Sequence, residues 1–354
     1  MTDRRDGVRV LLTGGGGFLG SAILREAEKA GSGVASVRVL DLDISKVVPR
    51  PWVEAVEGDV ADADCVRKAS DDIDVVVHAA SWVDWGQTTP EHLESVNVGG
   101  AENVVRVCRE QGIRGLVYTS TMDVICGSDP VIDADETTPF PAAFTNDYAR
   151  TKARAEELVL AANGPDLATC AIRPCGMYGE ADPYHVANVL RIMKEGSLPF
   201  RPGNGSARFE HVYVGNVAHA HLLALRKILD PASSIGGEAW FLTDDTPAVN
   251  FFDFMDPILD ALGHPLPTRR MPYPVMLGVG ALVEAAAFLC RPFVRIQPTV
   301  TRSSVRFVCH THTFDGGKAR RQLGYQPLYG EAEALQRTID WFKEQEAAES
   351  QTSH

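Results

Sequence analysis

The sequence predicts an α/β chain, a doubly wound parallel sheet with a smaller, irregular lobe toward the C-terminus. Two observations predict it. Apolar runs rich in β-branched residues alternate with helical periodicity as far as about residue 175. Beyond that point the pattern turns irregular, with prolines at 183, 199, 202, 231, 247, 257, 265, 267, 272 and 274. The expected division is therefore residues 1–175, carrying the nucleotide loop and catalytic candidates, and an interleaved substrate lobe over 176–345. Residues 346–354 read as a frayed polar tail.

The first element is a buried strand over residues 8–12, and Thr13-Gly-Gly-Gly-Gly-Phe-Leu-Gly20 runs straight from it into the helical pattern of residues 18–30. Glycines let a backbone turn tightly and approach a pyrophosphate, whose charge then rests on the N–H groups opening the helix. Gly14, Gly17 and Gly20, or Gly15 in place of Gly14, fit such a Rossmann loop, and Phe18 and Leu19 complete it. A second strand over 37–40 ends at Asp41, twenty-one residues after Gly20, where this arrangement expects a carboxylate for the adenosine ribose. A carboxylate there repels a 2′-phosphate, so NAD is expected over NADP. Arg38 and Lys46 are the nearby cations that could contest this, and Asp43 could share the ribose. Further strands fall at 52–56, 75–78, 116–119 and 167–172, between helices near 62–70, 91–110 and 146–162.

On the last of these helices Tyr148 and Lys152 are four residues apart, which places a phenol beside an ammonium. Tyrosine titrates near ~10, and a neighbouring cation favours the phenolate, so the pair is expected to move a proton near neutrality. The spacing gains its weight from the glycine loop before it.

Composition narrows the alternatives. A net charge of −13 without Lys/Arg clusters argues against nucleic acid. Seven cysteines with no C-x-x-C fit a reducing compartment, and the charged N-terminus lacks an apolar signal segment, so a cytoplasmic location is expected. His219/His221 and His310/His312 lack the further ligands of a metal set, and no metal is assigned. No G-x-S-x-G elbow is present, which disfavours a serine hydrolase.

With these residues in view, the chain resembles the extended short-chain dehydrogenase/reductase superfamily, specifically its 3β-hydroxysteroid dehydrogenase/isomerase family. The likeness spans residues 8–342. It includes His78-Ala-Ala-Ser81, Val96-Asn-Val-Gly-Gly100, Tyr118-Thr-Ser-Thr121 and Arg173-Pro-Cys-Gly-Met-Tyr-Gly179. Its most specific pieces are Val212-Tyr-Val-Gly-Asn-Val217, Asp244-Asp-Thr-Pro247 and Leu323-Gly-Tyr-Gln-Pro-Leu-Tyr329.

The resemblance implies that Asp59 and Val60 meet the adenine, that Ala79 and Ala80 line the cofactor wall, and that Pro174 packs near the nicotinamide. Asn97 would be the asparagine behind the site or a helix-stabilising amide. Thr121 would be the third catalytic hydroxyl, with Ser120 the fallback. The implied reaction is NAD-dependent oxidation of a 3β-hydroxyl on a steroid or sterol. In relatives that also isomerise the ring double bond, a tyrosine and an aspartate do that work. Asp245 matches the aspartate here, while Phe241 replaces the tyrosine and cannot transfer a proton.

Three alternatives stay open: a decarboxylating sterol 4α-carboxylate 3-dehydrogenase, with Arg201 or Arg208 as candidate cations; a sugar-nucleotide or 3-oxo-acid reductase or epimerase; and a non-catalytic dinucleotide sensor. Met177, Tyr178, Phe200, Trp240, Phe241, Phe251 and Phe252 suit either a flat substrate or a core. Residues 271–290 are apolar apart from Glu284, and read as an interfacial helix or a cap on the pocket, as a membrane span, or as a core helix. A peripheral membrane contact there and a homodimer are the associations kept in view.

Overall fold

The chain is described from a computed structural model over residues 7–29, 31–84, 88–290 and 300–352. Strand β1 (Val8–Thr13) turns through the glycines into α1 (Phe18–Ala27) and returns as β2 (Val34–Asp41). β3 (Val53–Glu57), α2 (Ala63–Ala69) and β4 (Val75–His78) follow. The next helix is composite: α3 (Pro90–Leu93), a π-helical turn (Glu94–Gly99) and α4 (Gly100–Gln111), which ends on a left-handed Gly112. Then come β5 (Gly115–Thr119), β6 (Val131–Ala134), α5 (Asp147–Ala161) and β7 (Ala168–Pro174). The Asn146 side chain caps α5 by accepting from the Ala149 N–H at 2.8 Å.

The main sheet has the order β3-β2-β1-β4-β5-β7 and a seventh strand, β11 (Ala239–Leu242), beyond β7; every pairing is parallel. Successive residues of a strand face opposite sides, and here both sides are covered. Val10 and Leu12 pack with α1 and with residues of a later helix, α7 (Val214–Ile228), whereas Leu11 packs with α2, α4 and α5. The strand order reverses between β1 and β4, so ligands are expected outside the carboxyl ends of those strands.

After β7 the chain builds its lobe from short pieces: β8 (Gly176–Tyr178), α6 (Val186–Lys194), β9 (Arg201–Pro202) and β10 (His211–Tyr213). It then returns to the sheet. α7 (Val214–Ile228) packs on α1 and leads to β11 (Ala239–Leu242), so the sheet is completed by residues from beyond 175. α8 (Phe251–Ala261), β12 (Arg270–Met271), α9 (Tyr273–Cys290), α10 (Arg302–Cys309), β13 (His312–Phe314), α11 (Gly317–Leu323) and α12 (Glu331–Thr352) complete the fold. α10 begins with a reciprocal cap between Thr301 and Ser304.

The tail differs from expectation. Residues 346–352 extend α12, because an Ala- and Glu-rich run favours helix and Glu346 is tied to Lys194 at 2.6 Å. Ser353 and His354 lie outside the described residues.

The three most specific segments converge on one buried amide. Asn216 Oδ1 accepts from the N–H groups of Leu328 and Tyr329 at 2.9 and 3.0 Å. Its Nδ2 donates to the Tyr329 carbonyl and to Asp244, both at 3.0 Å, and Asp244 also accepts from the Tyr213 N–H at 2.8 Å. These segments stitch α7, β11 and the C-terminal loop together.

Candidate active site

The glycine loop is a cradle with no room for side chains. Gly14 has φ +75° and its absent Cβ would lie 2.8 Å from Ala80 backbone, while a Cβ on Gly20 would lie 2.1 Å from the Gly14 carbonyl oxygen. α1 opens at Phe18 with Gly17 at its N-cap and no side chain capping it, which leaves that end shaped for an anion. Ala79 and Ala80 hang on Thr13: their N–H groups donate to its carbonyl at 3.3 Å and its hydroxyl at 3.1 Å. The Thr13 hydroxyl also meets His78 Nδ1 at 2.7 Å, which ties the ends of β1 and β4 where the strand order reverses.

Asp41 closes the loop from β2, accepting from the Gly16 N–H at 2.9 Å and the Asp43 N–H at 3.1 Å. A carboxylate has about four acceptor positions, so capacity remains for two ribose hydroxyls. The two cations that could have rescued a 2′-phosphate are engaged. Arg38 binds Glu54 and the carbonyls of Ala69 and Asp71, and Lys46 pairs with Asp43 at 3.1 Å. Asp59 folds onto the Ala61 N–H at 2.8 Å, and Val60 is buried against Gly100, where a Cβ would sit 2.9 Å from its methyl. Asn103 holds the Val60 and Ala61 carbonyls at 3.0 and 2.9 Å. Pro174 ends β7 opposite Leu242. These residues fit a dinucleotide.

Tyr148 lies at the start of α5, on the wall of a narrow cleft partly open to solvent. The Asp123 carboxylate and the Thr121 and Ser81 hydroxyls act on its phenol, and the Ser81 hydroxyl is buried with no hydrogen-bond partner among the described residues. Burial raises the phenol well above its ordinary value, and the negative charge of Asp123 raises it further; the two hydroxyls pull it back.

The expectation for Lys152 needs correction. The ammonium donates to the Thr119 carbonyl at 2.6 Å and sits 4.3 Å from the centre of the Tyr118 ring, where burial lowers it to about 7. The leading charge acting on the phenol is therefore an anion, opposite in sign to the cation expected. An i,i+4 spacing set the two side chains on one face of α5, but the β5 carbonyl captured the ammonium.

Thr121 and Ser120 point to opposite sides, as neighbours in extended chain do. Ser120 donates its backbone N–H to Ile172 at 2.7 Å, and its hydroxyl is buried with no partner among the described residues. Thr121 meets Asp123: its hydroxyl donates to Oδ2 at 3.2 Å and accepts from the Asp123 N–H at 3.2 Å. Burial raises the Asp123 carboxyl to about 6. Neither Ser81 nor Asp123 stood out as a site residue in the sequence. Ser81 was legible as part of a motif; Asp123 carried no signal.

Asn97 lies in the π-helical turn, where functional residues often sit. It accepts from the Trp82 N–H at 2.8 Å and donates to the Trp82 carbonyl and the Thr151 hydroxyl, both at 3.1 Å. It clamps the loop after β4 to α5 and so fixes Ser81 relative to Tyr148.

The opposite wall of the cleft is α10 and its end, with Ser304, Arg306, Phe307, His310 and His312. Of the residues that suited either a flat substrate or a core, Tyr178, Trp240 and Phe241 are fully buried and Phe251 and Phe252 nearly so, whereas Met177 and Phe200 are half-buried. Arg201 binds Asp253, Asp256 and the Pro267 carbonyl away from the cleft, and Arg208 does not line it either; Arg306 is the cleft's guanidinium. Asp245 is exposed and paired with Arg320 at 2.9 Å, so it does not face the cleft. No cluster able to hold a metal occurs among the described residues.

The model of the 3-beta hydroxysteroid dehydrogenase/isomerase family matches residues 11–274. The chain belongs to that family. This member is 34% identical to the 3 beta-hydroxysteroid dehydrogenase type 7 of Mus musculus over 364 residues, covering 96% of each chain. It is 35% identical over 295 residues to the 3beta-hydroxysteroid-dehydrogenase/decarboxylase isoform 1 of Arabidopsis thaliana, covering 82% of this chain and 67% of that one. In fold it resembles the Thermus thermophilus UDP-glucose 4-epimerase, solved in complex with NAD, with a TM-score of 0.70, 24% identity and coverage of 95% and 99%.

α9 is the other departure from the sheet. Of its described residues only Met276 and Gly280 are buried, while Leu282, Phe288 and Leu289 are 73, 71 and 73% exposed. It is not a core helix. It is long and apolar enough to cross a membrane by length and composition, and it rests on α10, the cleft wall. Glu284 binds Arg302 at 2.7 Å, and a Cβ on Gly280 would lie 2.9 Å from the Arg302 nitrogen.

Proposed function

We propose that this protein oxidises the 3β-hydroxyl of a steroid or sterol to the 3-ketone, with NAD as the hydride acceptor. The observation that carries the reading is Tyr148 on the cleft wall, its phenol under the influence of the Thr121 and Ser81 hydroxyls, in a chain of this family whose Gly14–Gly20 turn has the shape of a dinucleotide cradle. Bound NAD+ would supply the two-electron acceptor. Gly14, Gly17, Phe18, Leu19 and Gly20 would hold its pyrophosphate, Asp41 its adenosine ribose, Asp59 and Val60 its adenine, and Ala79, Ala80 and Pro174 its remaining walls.

Tyr148 takes the proton of the substrate hydroxyl, and Thr121 and Ser81 steady the oxygen as its bond to hydrogen breaks. Lys152, poised near neutrality by burial, holds the ribose on the nicotinamide side; its influence on Tyr148 grows only as it becomes charged. Phe307 and the α10 wall shield the reacting carbon from water.

The decarboxylating reading has a specific support. Arg306 faces the cleft, where a 4α-carboxylate would need a cation, and one plant relative is named a dehydrogenase/decarboxylase. Ring isomerisation finds no proton carrier at Asp245 or Phe241. We further infer that α9 lies on a membrane surface, its apolar side supplied with sterol and its other side on the cleft wall.

The test is incubation of purified protein with NAD+ or NADP+ and a panel of 3β-hydroxysterols with and without a 4α-carboxylate, following reduced cofactor and released carbon dioxide. Reduction of NAD+ by plain 3β-hydroxysterols is expected. Turnover confined to the 4α-carboxylates, with stoichiometric carbon dioxide, selects the second reading. Tyr148→Phe should abolish turnover and keep cofactor binding; a fully active Tyr148→Phe ends both readings.

A further inference from the structure

We propose that Arg173 is a positioning residue: by occupying both oxygens of Glu156 it keeps that carboxylate from capturing Lys152, and so leaves the ammonium for the ribose on the nicotinamide side. This rests on the role given to Lys152 above, and it assigns a task to a buried ion pair that takes no part in the chemistry.

Tyr148, Lys152 and Glu156 follow one another at intervals of four along α5, so all three project from one face of the helix. Lys152 and Glu156 are both buried, where opposite charges attract with little screening. Spacing and burial favour a pair between them, yet none forms. Lys152 donates to the Thr119 carbonyl at 2.6 Å, and both Glu156 oxygens are taken by Arg173.

The reason is the shape of the competing cation. Arg173 Nε lies 3.1 and 3.0 Å from the two oxygens and Nη2 lies 2.5 Å from Oε1. A guanidinium meets a carboxylate as a planar fork, which a single ammonium cannot match. Aromatic rings hold the fork in place. Phe241 on β11 is the register partner of Arg173 on β7, and its ring centre is 5.0 Å from the guanidinium carbon, with Phe140 at 5.6 Å.

Fastening the fold does not account for this pair. Buried ion pairs add little net stability over apolar side chains of similar volume, and Arg173 Nη1 is buried with no partner among the described residues. Its consequence lies on the next strand. Thr119 on β5 pairs with Ile172 on β7, one residue before Arg173, so the carbonyl that holds Lys152 and the guanidinium that holds Glu156 come from adjacent strands. Each charged group on this face of α5 therefore has a partner of its own.

Burial lowers Lys152 to about 7, and the Glu156 charge draws it partway back. Two other ionisable groups are coupled to this cluster: His78, which burial and the Lys152 charge keep neutral, and the Tyr118 phenol, which burial raises. Neither is an anion at pH 7. If Arg173 is removed, the bare Glu156 carboxylate has a cation one helical turn away, and Lys152 leaves Thr119 for it.

Two readouts test this without any sterol. Lys152 is titrated by NMR of protein carrying 13C-labelled lysine, its resonance assigned by its absence in Lys152→Met, and NAD+ affinity is measured by calorimetry. In Arg173→Met the Lys152 midpoint should rise by about a unit or more as the carboxylate takes the ammonium. NAD+ affinity should fall about 10- to 100-fold, the worth of a charged donor's hydrogen bonds to the ribose. Arg173→Met combined with Glu156→Leu removes the trap with its guard, and should return both readouts close to wild type.

Arg173→Lys keeps the charge but can hold only one oxygen, so both shifts should be intermediate; this arm decides the matter if Arg173→Met does not fold. A pair with a merely structural role would lower the melting temperature and leave the Lys152 midpoint in place. An unmoved midpoint in folded Arg173→Met or in Arg173→Lys, or a double variant that binds NAD+ no better than Arg173→Met, overturns the proposal. Shifted readouts without oxidation of any sterol support the positioning and defeat the substrate assignment. Sterol oxidation with both readouts unshifted does the reverse.

Discussion

Asn216→Ala isolates the amide on which the family's most specific segments converge. The substitution removes four hydrogen bonds of 2.9–3.0 Å at a fully buried position, and strands the N–H groups of Leu328 and Tyr329 and the Tyr329 carbonyl. At about 1 kcal/mol net for each bond the loss is about 4 kcal/mol. Unfolding entropy of about 2.1 cal/mol/K per residue over 354 residues converts this to a fall in Tm of about 5 °C. The assay is calorimetry with a parallel urea titration, alongside kcat of the folded protein. If Asn216 works as a stitch, Tm falls and kcat below the new transition stays within about twofold. A Tm shift under 1 °C, or loss of kcat with Tm intact, refutes the reasoning, because then the amide is either not structural or part of the chemistry.

Arg173→Met leaves the Glu156 carboxylate buried at 0% side-chain exposure without its partner and should cost about 3–5 kcal/mol, whereas Arg173→Met combined with Glu156→Leu should recover most of it; urea denaturation of the three proteins decides this. Asp123 gives a stability effect with a definite sign: its folded carboxyl is raised from 3.8 to about 6, so the folded state binds more protons between those values and loses stability as pH rises through that window. Asp123→Asn should therefore be more stable than wild type by about 1–3 kcal/mol at pH 8, a range reduced for the side open to the cleft, and no more stable below about pH 4; denaturation at the two pH values checks it. Leu282→Glu with Phe288→Glu should reduce sedimentation with anionic phospholipid vesicles at least tenfold and leave turnover of a detergent-dispersed sterol near wild type.

The position of the glycine loop and of Asp41 was legible because local backbone chemistry fixes it. A strand feeding a helix through residues without Cβ atoms can fold in few ways, and the collisions that Cβ atoms on Gly14 and Gly20 would make are the physical form of that constraint. Thr121 against Ser120 was half legible: alternation guarantees that the two diverge, but not which of them meets Asp123. Asp123 was not legible, since its burial comes from chain that is distant in sequence.

The sequence by itself determined the parallel sheet, the dinucleotide cradle and the placing of Tyr148 and Lys152 on one helical face, because each depends on periodicity or on steric rules within a few residues. Only the tertiary structure decided where charge lies around the phenol. The carbonyl of Thr119 draws Lys152 away, the turn after Thr121 brings in Asp123, and α10 supplies a wall of the cleft. Electrostatic effects depend on distance and burial, and both are properties of packing between segments that the linear order keeps far apart.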